Sequence, residues 1–248
     1  MLVIVDPGHG GSDPGAVGNG LTEKDVALQI SLYQRDRLRE LGISVGMTRE
    51  TDVKLIPADR ANIVRKSGAR YCLSNHLNAG GGQGVEAVHS IYADGMLANA
   101  VVDAIAAAGQ PRRLTPVYFK TLPLPPRRDF YYMHRETGAT EVLLIEYGFI
   151  DHPEDAARLK ANWKVYAEAA IRGFCLHAKL PYQAPKPQAA DPREAAIYAL
   201  QEAGIISTPD YWLVNAKRGQ TVNGEYAAGL IANMANFIGK EVSKNDGI

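Results

Sequence analysis

The run Val3-Ile4-Val5-Asp6-Pro7-Gly8-His9-Gly10-Gly11 limits what this chain can fold into more than any other stretch. Three β-branched residues favour a short strand, and the Pro–Gly loop that follows ends it abruptly. A strand end is a rigid mount, and glycines let backbone crowd a ligand without a Cβ clash. The loop presents one histidine, His9, which alone reads as an ordinary surface residue. Two further ligand-type residues sit in similar settings. Glu23 opens a helix after Gly20-Leu21-Thr22, and His76 ends the strand Tyr71–Asn75. Two histidines, one carboxylate and an open fourth position form the ligand set expected of a catalytic zinc site.

Strand-like runs alternate with helical patterns along the first part of the chain. Strands are expected at Leu2–Val5, Ile43–Thr48, Tyr71–Asn75, about Val85–Tyr92 and Val142–Glu146. Helices are expected near Glu23–Leu41, Pro57–Lys66, Leu97–Ala108, Pro153–Lys160 and Asn162–Leu176. Thr22 and Asp25 have capping-box spacing, with Asp in place of Glu. The alternation predicts an α/β fold: a twisted, largely parallel sheet flanked by helices on both faces, plus a small C-terminal helical domain.

With 248 residues, the chain is long enough for one large domain and a small one. Residues 1–179 read as the catalytic unit and 180–190 as a linker carrying three prolines without periodicity. Residues 191–248 read as a small helical unit, with Asp191 as N-cap before Pro192 and a second helix near Glu225–Ile238. Under sixty residues is marginal for an independent core, which suggests docking or dimerisation.

Lys plus Arg equals Asp plus Glu, so net charge offers no argument for nucleic-acid or membrane binding. No apolar run approaches membrane-spanning length, and the start lacks a basic n-region and a cleavage site. Cys72 and Cys175 read as two buried free thiols.

Asp6-Pro7-Gly8-His9-Gly10-Gly11, Leu21-Thr22-Glu23-Lys24, Thr48-Arg49 and Arg60-Ala61-Asn62 resemble blocks of the zinc-dependent N-acetylmuramoyl-L-alanine amidases of type 3. Ser74-Asn75-His76-Leu77-Asn78-Ala79 and Ile145-Glu146-Tyr147-Gly148-Phe149-Ile150 continue the similarity, which covers about residues 2–177. The family more often has isoleucine at Asn75 and alanine at Leu77. The resemblance implies one Zn2+ per catalytic domain, with His9, Glu23 and His76 as ligands and Glu146 as the catalytic carboxylate. It also implies peptidoglycan or muropeptides as substrate.

The chemistry fits these roles. Zinc lowers the pKa of a bound water to about 7, and a nearby carboxylate can move protons between that water and the leaving amine. Glu146 ends an apolar strand, where burial would raise its pKa; a fourth ligand or an ion-pair partner is its alternative role. Glu23 would otherwise be a helix-start carboxylate. Glu86 reads as support for the site or as an ordinary strand residue. His134 reads as a substrate contact, an oxyanion stabiliser or a solvated histidine. Asn78 orients His76, binds substrate or forms a turn. The stretch 111–128, rich in Arg, Lys and Pro, reads as a long surface loop, either solvated or a rim for stem-peptide carboxylates. His89, His152 and His177 carry no functional reading.

The expectation is therefore a peptidoglycan amidase cutting between N-acetylmuramic acid and L-alanine, its C-terminal unit binding cell wall or dimerising. Without a signal peptide, it would be made in the cytoplasm and reach the wall after phage-type release, as an endolysin does. With no long insert between Leu97 and Val142, its site would stand open. The alternatives are a zinc peptidase cutting within the stem peptide and a non-catalytic wall-binding protein.

Overall fold

A computed structural model describes residues 1–123, 125–185, 192–216 and 221–245. They form two compact units, 1–183 and 184–248. The first unit opens with β1 (Val3–Pro7), a small hairpin of β2 (Val17–Gly18) and β3 (Leu21–Thr22), and helix α1 (Glu23–Glu40). Next come β4 (Val45–Met47), α2 (Pro57–Ser67), β5 (Tyr71–Asn78), β6 (Val85–Val88) and α3 (Met96–Ala107). β7 (Arg112–Tyr118), the short α4 (Tyr132–Arg135), β8 (Glu141–Phe149) and α5 (Pro153–Ala178) complete it.

The main sheet has the order β4-β1-β5-β8-β6-β7; β8–β6 is its one antiparallel pairing, so β6 and β7 run opposite to the other four strands. Alternation along the strands divides the core in two. Val3, Val5, Leu73, Leu143 and Ile145 face a large cluster with residues of α1, α3 and α5. Ile4, Cys72 and Val142 face a smaller one with Val64 of α2 and Met133 of α4. Helices thus cover both faces, as an α/β sheet requires. Cys72 and Cys175 are buried free thiols.

Several elements depart from the sequence-based expectation. β5 continues past Asn75 to Asn78, so His76 lies within the strand instead of ending it. Glu146 likewise sits inside β8, which runs on to Phe149. β6 stops at Val88, short of Tyr92. Helix α5 is one continuous element where two were expected. Its buried face of Leu159, Tyr166, Ala170 and Phe174 carries the helix across Asn162. Residues 112–118, expected in a loop, form the edge strand β7 paired in parallel with β6. Thr22 occupies the N-cap of α1 but makes no side-chain cap bond. The carbonyls of Ala16 and Pro14 accept the Glu23 and Lys24 amides instead, at 2.9 and 3.1 Å.

The second unit contains α6 (Pro192–Glu202), α7 (Pro209–Asn215) and α8 (Gly224–Asn245) around Ile197, Ile205, Ile206 and Trp212. Helix α7 was not expected, and α8 extends beyond the expected Ile238. The Asp191 cap and residues 186–190 of the expected linker lie outside the described residues.

Candidate metal centre and its carboxylate

The loop after β1 is shaped by what it must approach. A Cβ on Gly8 would collide with the His76 ring, so only glycine allows the loop to pass there. His9 itself has φ 55°, a left-handed conformation uncommon outside glycine. Such strain persists where surrounding contacts over-determine it, and here they are numerous. Arg60 sends Nη1 to Asp6 Oδ1 at 2.6 Å and Nη2 to the His9 carbonyl at 2.7 Å. Arg49 holds the Gly8 and Lys24 carbonyls at 2.8 and 3.0 Å. Buried Asp6 also accepts from Thr48 at 2.6 Å and Ser74 at 2.7 Å. The Thr48-Arg49 and Arg60 blocks therefore clamp the histidine loop.

Three ligand-type side chains converge beneath that loop. Glu23 Oε1 lies 3.1 Å from His9 Nε2 and 2.9 Å from His76 Nδ1. The two imidazoles meet edge to face, with ring centroids 5.1 Å apart. Glu23 Oε1 also accepts the Leu77 amide at 3.1 Å, and Oε2 accepts the Ala16 amide at 2.8 Å. Burial alone would raise the Glu23 pKa, but hydrogen bonds and charge from His76 and His9 hold it well below the usual range. Burial would lower both histidines, but Glu23, joined by Asp13 at His9 and by Glu146 at His76, raises them. One nitrogen or oxygen from each of His9, Glu23 and His76 lies within 4.8 Å of the others. This donor set, two imidazoles and an ionised carboxylate with none of its members on a flexible tip, fits a zinc ion.

Asp13 was missed at the sequence level. Its Oδ2 lies 3.0 Å from His9 Nδ1 and fixes the ring so that Nε2 faces Glu23. Its spacing four residues after His9 was the available signal.

Glu146 lies beside this group. It is the register partner of His76 across β5–β8 and of Glu86 across β8–β6. Its Oε2 is shut from solvent and has no hydrogen-bond partner. Burial pushes its pKa up to about 7; His76 opposes this, and Glu23 and Glu86 add to it. Glu86 is fully buried and accepts from Asn78 at 2.6 Å, from Tyr118 at 3.0 Å, and from Arg113. Asn78 therefore turns toward Glu86 instead of His76, and its Oδ1 also accepts the Ala79 amide at 2.7 Å.

The remaining candidates lie elsewhere. His134 packs near the Val88 and Val142 backbones, where burial pushes its pKa down to about 4. Val142 precedes Glu146 by four residues, ~13 Å along a strand, so His134 is not among the converging groups. His152 caps α5, and His177 meets Tyr71 edge to face. Cations of the 111–128 stretch have local partners: Arg112 pairs with Asp103 at 2.7 Å, and Lys120 and Arg127 lie over Phe130 and Phe119.

Asn75 has a physical account. Its amide donates to Ser31 and Gln34 at 2.8 Å each, and its carbonyl accepts from Tyr147 at 3.0 Å. Gln34 closes the ring by donating to Tyr147 at 2.8 Å. A polar residue in this core position is thus satisfied by three others.

The family model described as Amidase_3, N-acetylmuramoyl-L-alanine amidase, matches residues 3–174. The sporulation-specific N-acetylmuramoyl-L-alanine amidase of Bacillus subtilis is 36% identical over 173 residues, covering 65% of this chain and 61% of that protein. The amidase CwlM of Bacillus licheniformis is 32% identical over 215 residues, covering 83% of this chain and 76% of its own length. Among solved structures, an N-acetylmuramoyl-L-alanine amidase from Clostridium difficile 630 superposes with a TM-score of 0.63 at 27% identity. It covers 72% of this chain and 96% of that one. AmiC2 of Nostoc punctiforme gives 0.61 at 29% identity, covering 72% and 97%. On the extent of the family match, this chain belongs to the Amidase_3 family of N-acetylmuramoyl-L-alanine amidases.

Proposed function

We propose that this chain is a peptidoglycan hydrolase. It would cleave the amide between the lactyl group of N-acetylmuramic acid and L-alanine of the stem peptide. His9, Glu23 and His76 would hold a zinc ion, and Glu146 would move the protons. The observation that carries this reading is the orphaned, buried Oε2 of Glu146 on the strand beside His76. A structural carboxylate is satisfied by donors; this one has an oxygen left for substrate or water.

Held by His9, Glu23 and His76, a zinc ion would supply Lewis acidity toward the scissile carbonyl and a more acidic water. Glu146, whose buried oxygen is left without a donor, takes a proton from the attacking water and returns one to the departing amide nitrogen. Asp13 and the Ala16 amide keep His9 and Glu23 oriented throughout. The reading also takes the enzyme to the wall by phage-type release, in keeping with 40% identity over 87 residues to the endolysin of Bacillus phage SPP1.

The test is digestion of purified peptidoglycan by the zinc-loaded protein, with Glu146→Ala alongside and mass spectrometry of the fragments. Stem peptides with a free L-alanine N-terminus, absent for the variant, are expected. Cuts elsewhere in the stem would reassign the chain as a peptidase. Binding without cleavage would leave a wall-binding protein.

A further inference from the structure

The arm between Tyr118, which ends β7, and Tyr131, which precedes α4, concentrates positive charge beside the row of His76, Glu146 and Glu86. Lys120, Arg127 and Arg128 are all exposed. Lys120 and Arg127 lie over the Phe130 and Phe119 rings, 4.0 and 5.0 Å from their centroids, which steadies the cations and leaves their charge uncompensated. The preceding cations Arg112 and Arg113 are matched by Asp103 and Glu86; among the described residues, no carboxylate pairs with any of these three. The arm's one acid, Asp129, is buried and committed to the Ser90 hydroxyl and the Ile91 amide, at 2.8 Å each. The arm is also held in shape. Phe130 donates to the Lys120 carbonyl at 2.7 Å, Leu122 to the Arg128 carbonyl at 2.9 Å, and Arg135 to the Asp129 carbonyl at 3.0 Å.

Both ends of the arm stand at that row. The Tyr118 hydroxyl donates to Glu86 Oε1 at 3.0 Å, and Glu86 is the register partner of Glu146. At the other end, burial and the charge of Glu146 raise the Tyr131 pKa. Cations on the opposite side of the metal centre are already occupied: Lys24 pairs with Asp52 at 2.6 Å, and Arg49 and Arg60 hold the His9 loop. An anionic chain leaving the metal centre is therefore drawn toward β7. We propose that the stem peptide lies across β8 and β6, its carboxylates held by Lys120, Arg127 and Arg128. β5 and β7 are three strand spacings apart, ~14 Å. An extended peptide covers that in about four residues, within the reach of a stem peptide whose first amide is at the metal centre. This rests on the amidase reading above and adds the direction in which the substrate runs and the groups that select it.

Cleavage of two soluble muramoyl peptides tests this, one with free stem carboxylates and the other with the same carboxylates amidated. The zinc-loaded wild type should favour the first by about tenfold in kcat/KM, a modest contribution from each of three exposed charges. Lys120→Gln, Arg127→Gln and Arg128→Gln together should erase the preference, and Lys120→Glu, Arg127→Glu and Arg128→Glu together should reverse it. The ratio for one preparation does not depend on how much of it is folded, so a merely structural effect cannot mimic the result. A wild type that uses both substrates equally would overturn the proposal while leaving the amidase in place. So would a preference that survives the charge changes. Release of stem peptide from neither substrate would overturn the amidase reading, and this proposal with it.

Discussion

His76 and Glu146 are Cα partners on adjacent parallel strands, one bearing a candidate metal ligand and the other the carboxylate with an unsatisfied oxygen. Neighbouring strands lie ~4.8 Å apart, so main-chain hydrogen bonds fix the separation of the two side chains. A site built this way keeps its geometry better than one carried on loops. Only His9 comes from a loop, and that loop is clamped by two arginines.

The buried Glu146 gives the metal-free protein a pH-dependent stability. Its carboxyl moves from 4.5 to about 7 on folding, so between those values the folded chain holds a proton that the unfolded chain has lost. Stability from this group is therefore greatest below the unfolded value and declines as pH rises through about 7. Urea titrations of wild type and Glu146→Gln should diverge between pH 5 and 8. The wild type should lose on the order of 2–3 kcal/mol relative to the variant. Parallel curves would show that the carboxyl is not desolvated.

Removal of metal should abolish hydrolysis without unfolding the chain. The two imidazoles and Glu23 hydrogen-bond one another, and the α/β core does not depend on them. After dialysis against a chelator, circular dichroism should be unchanged and activity should return with added zinc. Asp13→Ala should lower zinc affinity about ten- to hundredfold in a competition titration, as expected when a partner that orients a ligand is lost.

Breaking the Asp6–Arg60 pair should be among the most damaging single changes outside the ligands. Both side chains are buried, and Arg60→Met would leave Asp6 charged with only two hydroxyl donors. A loss of about 3–5 kcal/mol is expected in chemical denaturation. Arg60→Lys should retain part of that stability but lose the two-pronged hold on Asp6 and the His9 carbonyl, with weaker zinc binding.

Asn75→Ile, which puts an aliphatic side chain in this polar core position, should destabilise this chain when made alone. Gln34, Ser31 and the Tyr147 hydroxyl would each lose a buried partner, at a cost of about 1–3 kcal/mol. Gln34→Leu added to it should recover part of the loss, because paired polar groups removed together leave fewer orphans. Additive losses in a double-mutant cycle would separate the two positions.

The alternation of strands and helices and the ligand residues were legible in the sequence because each sits in a short motif with its own local signal. What joins those motifs was not. That His76, Glu146 and Glu86 form one row follows from strand register, which pairs residues far apart in sequence. The roles of Arg49 and Arg60 were hidden for the same reason: their targets are backbone carbonyls of a distant loop. Prolines in 111–128 concealed β7, whose partner supplies the pairing that local propensity does not. Asn162 suggested a helix end in α5, but the continuous buried face on either side overrides it.

The borders of the main sheet bear on how this protein behaves when crowded. β4 offers only three residues to an approaching strand. On the far side, β7 bears Arg112 and Arg113, and Pro116 interrupts its row of main-chain donors. A short strand on one side, and charge with a proline on the other, both oppose pairing with a strand of another molecule, so the larger unit meets its neighbours with its sheet borders blunted.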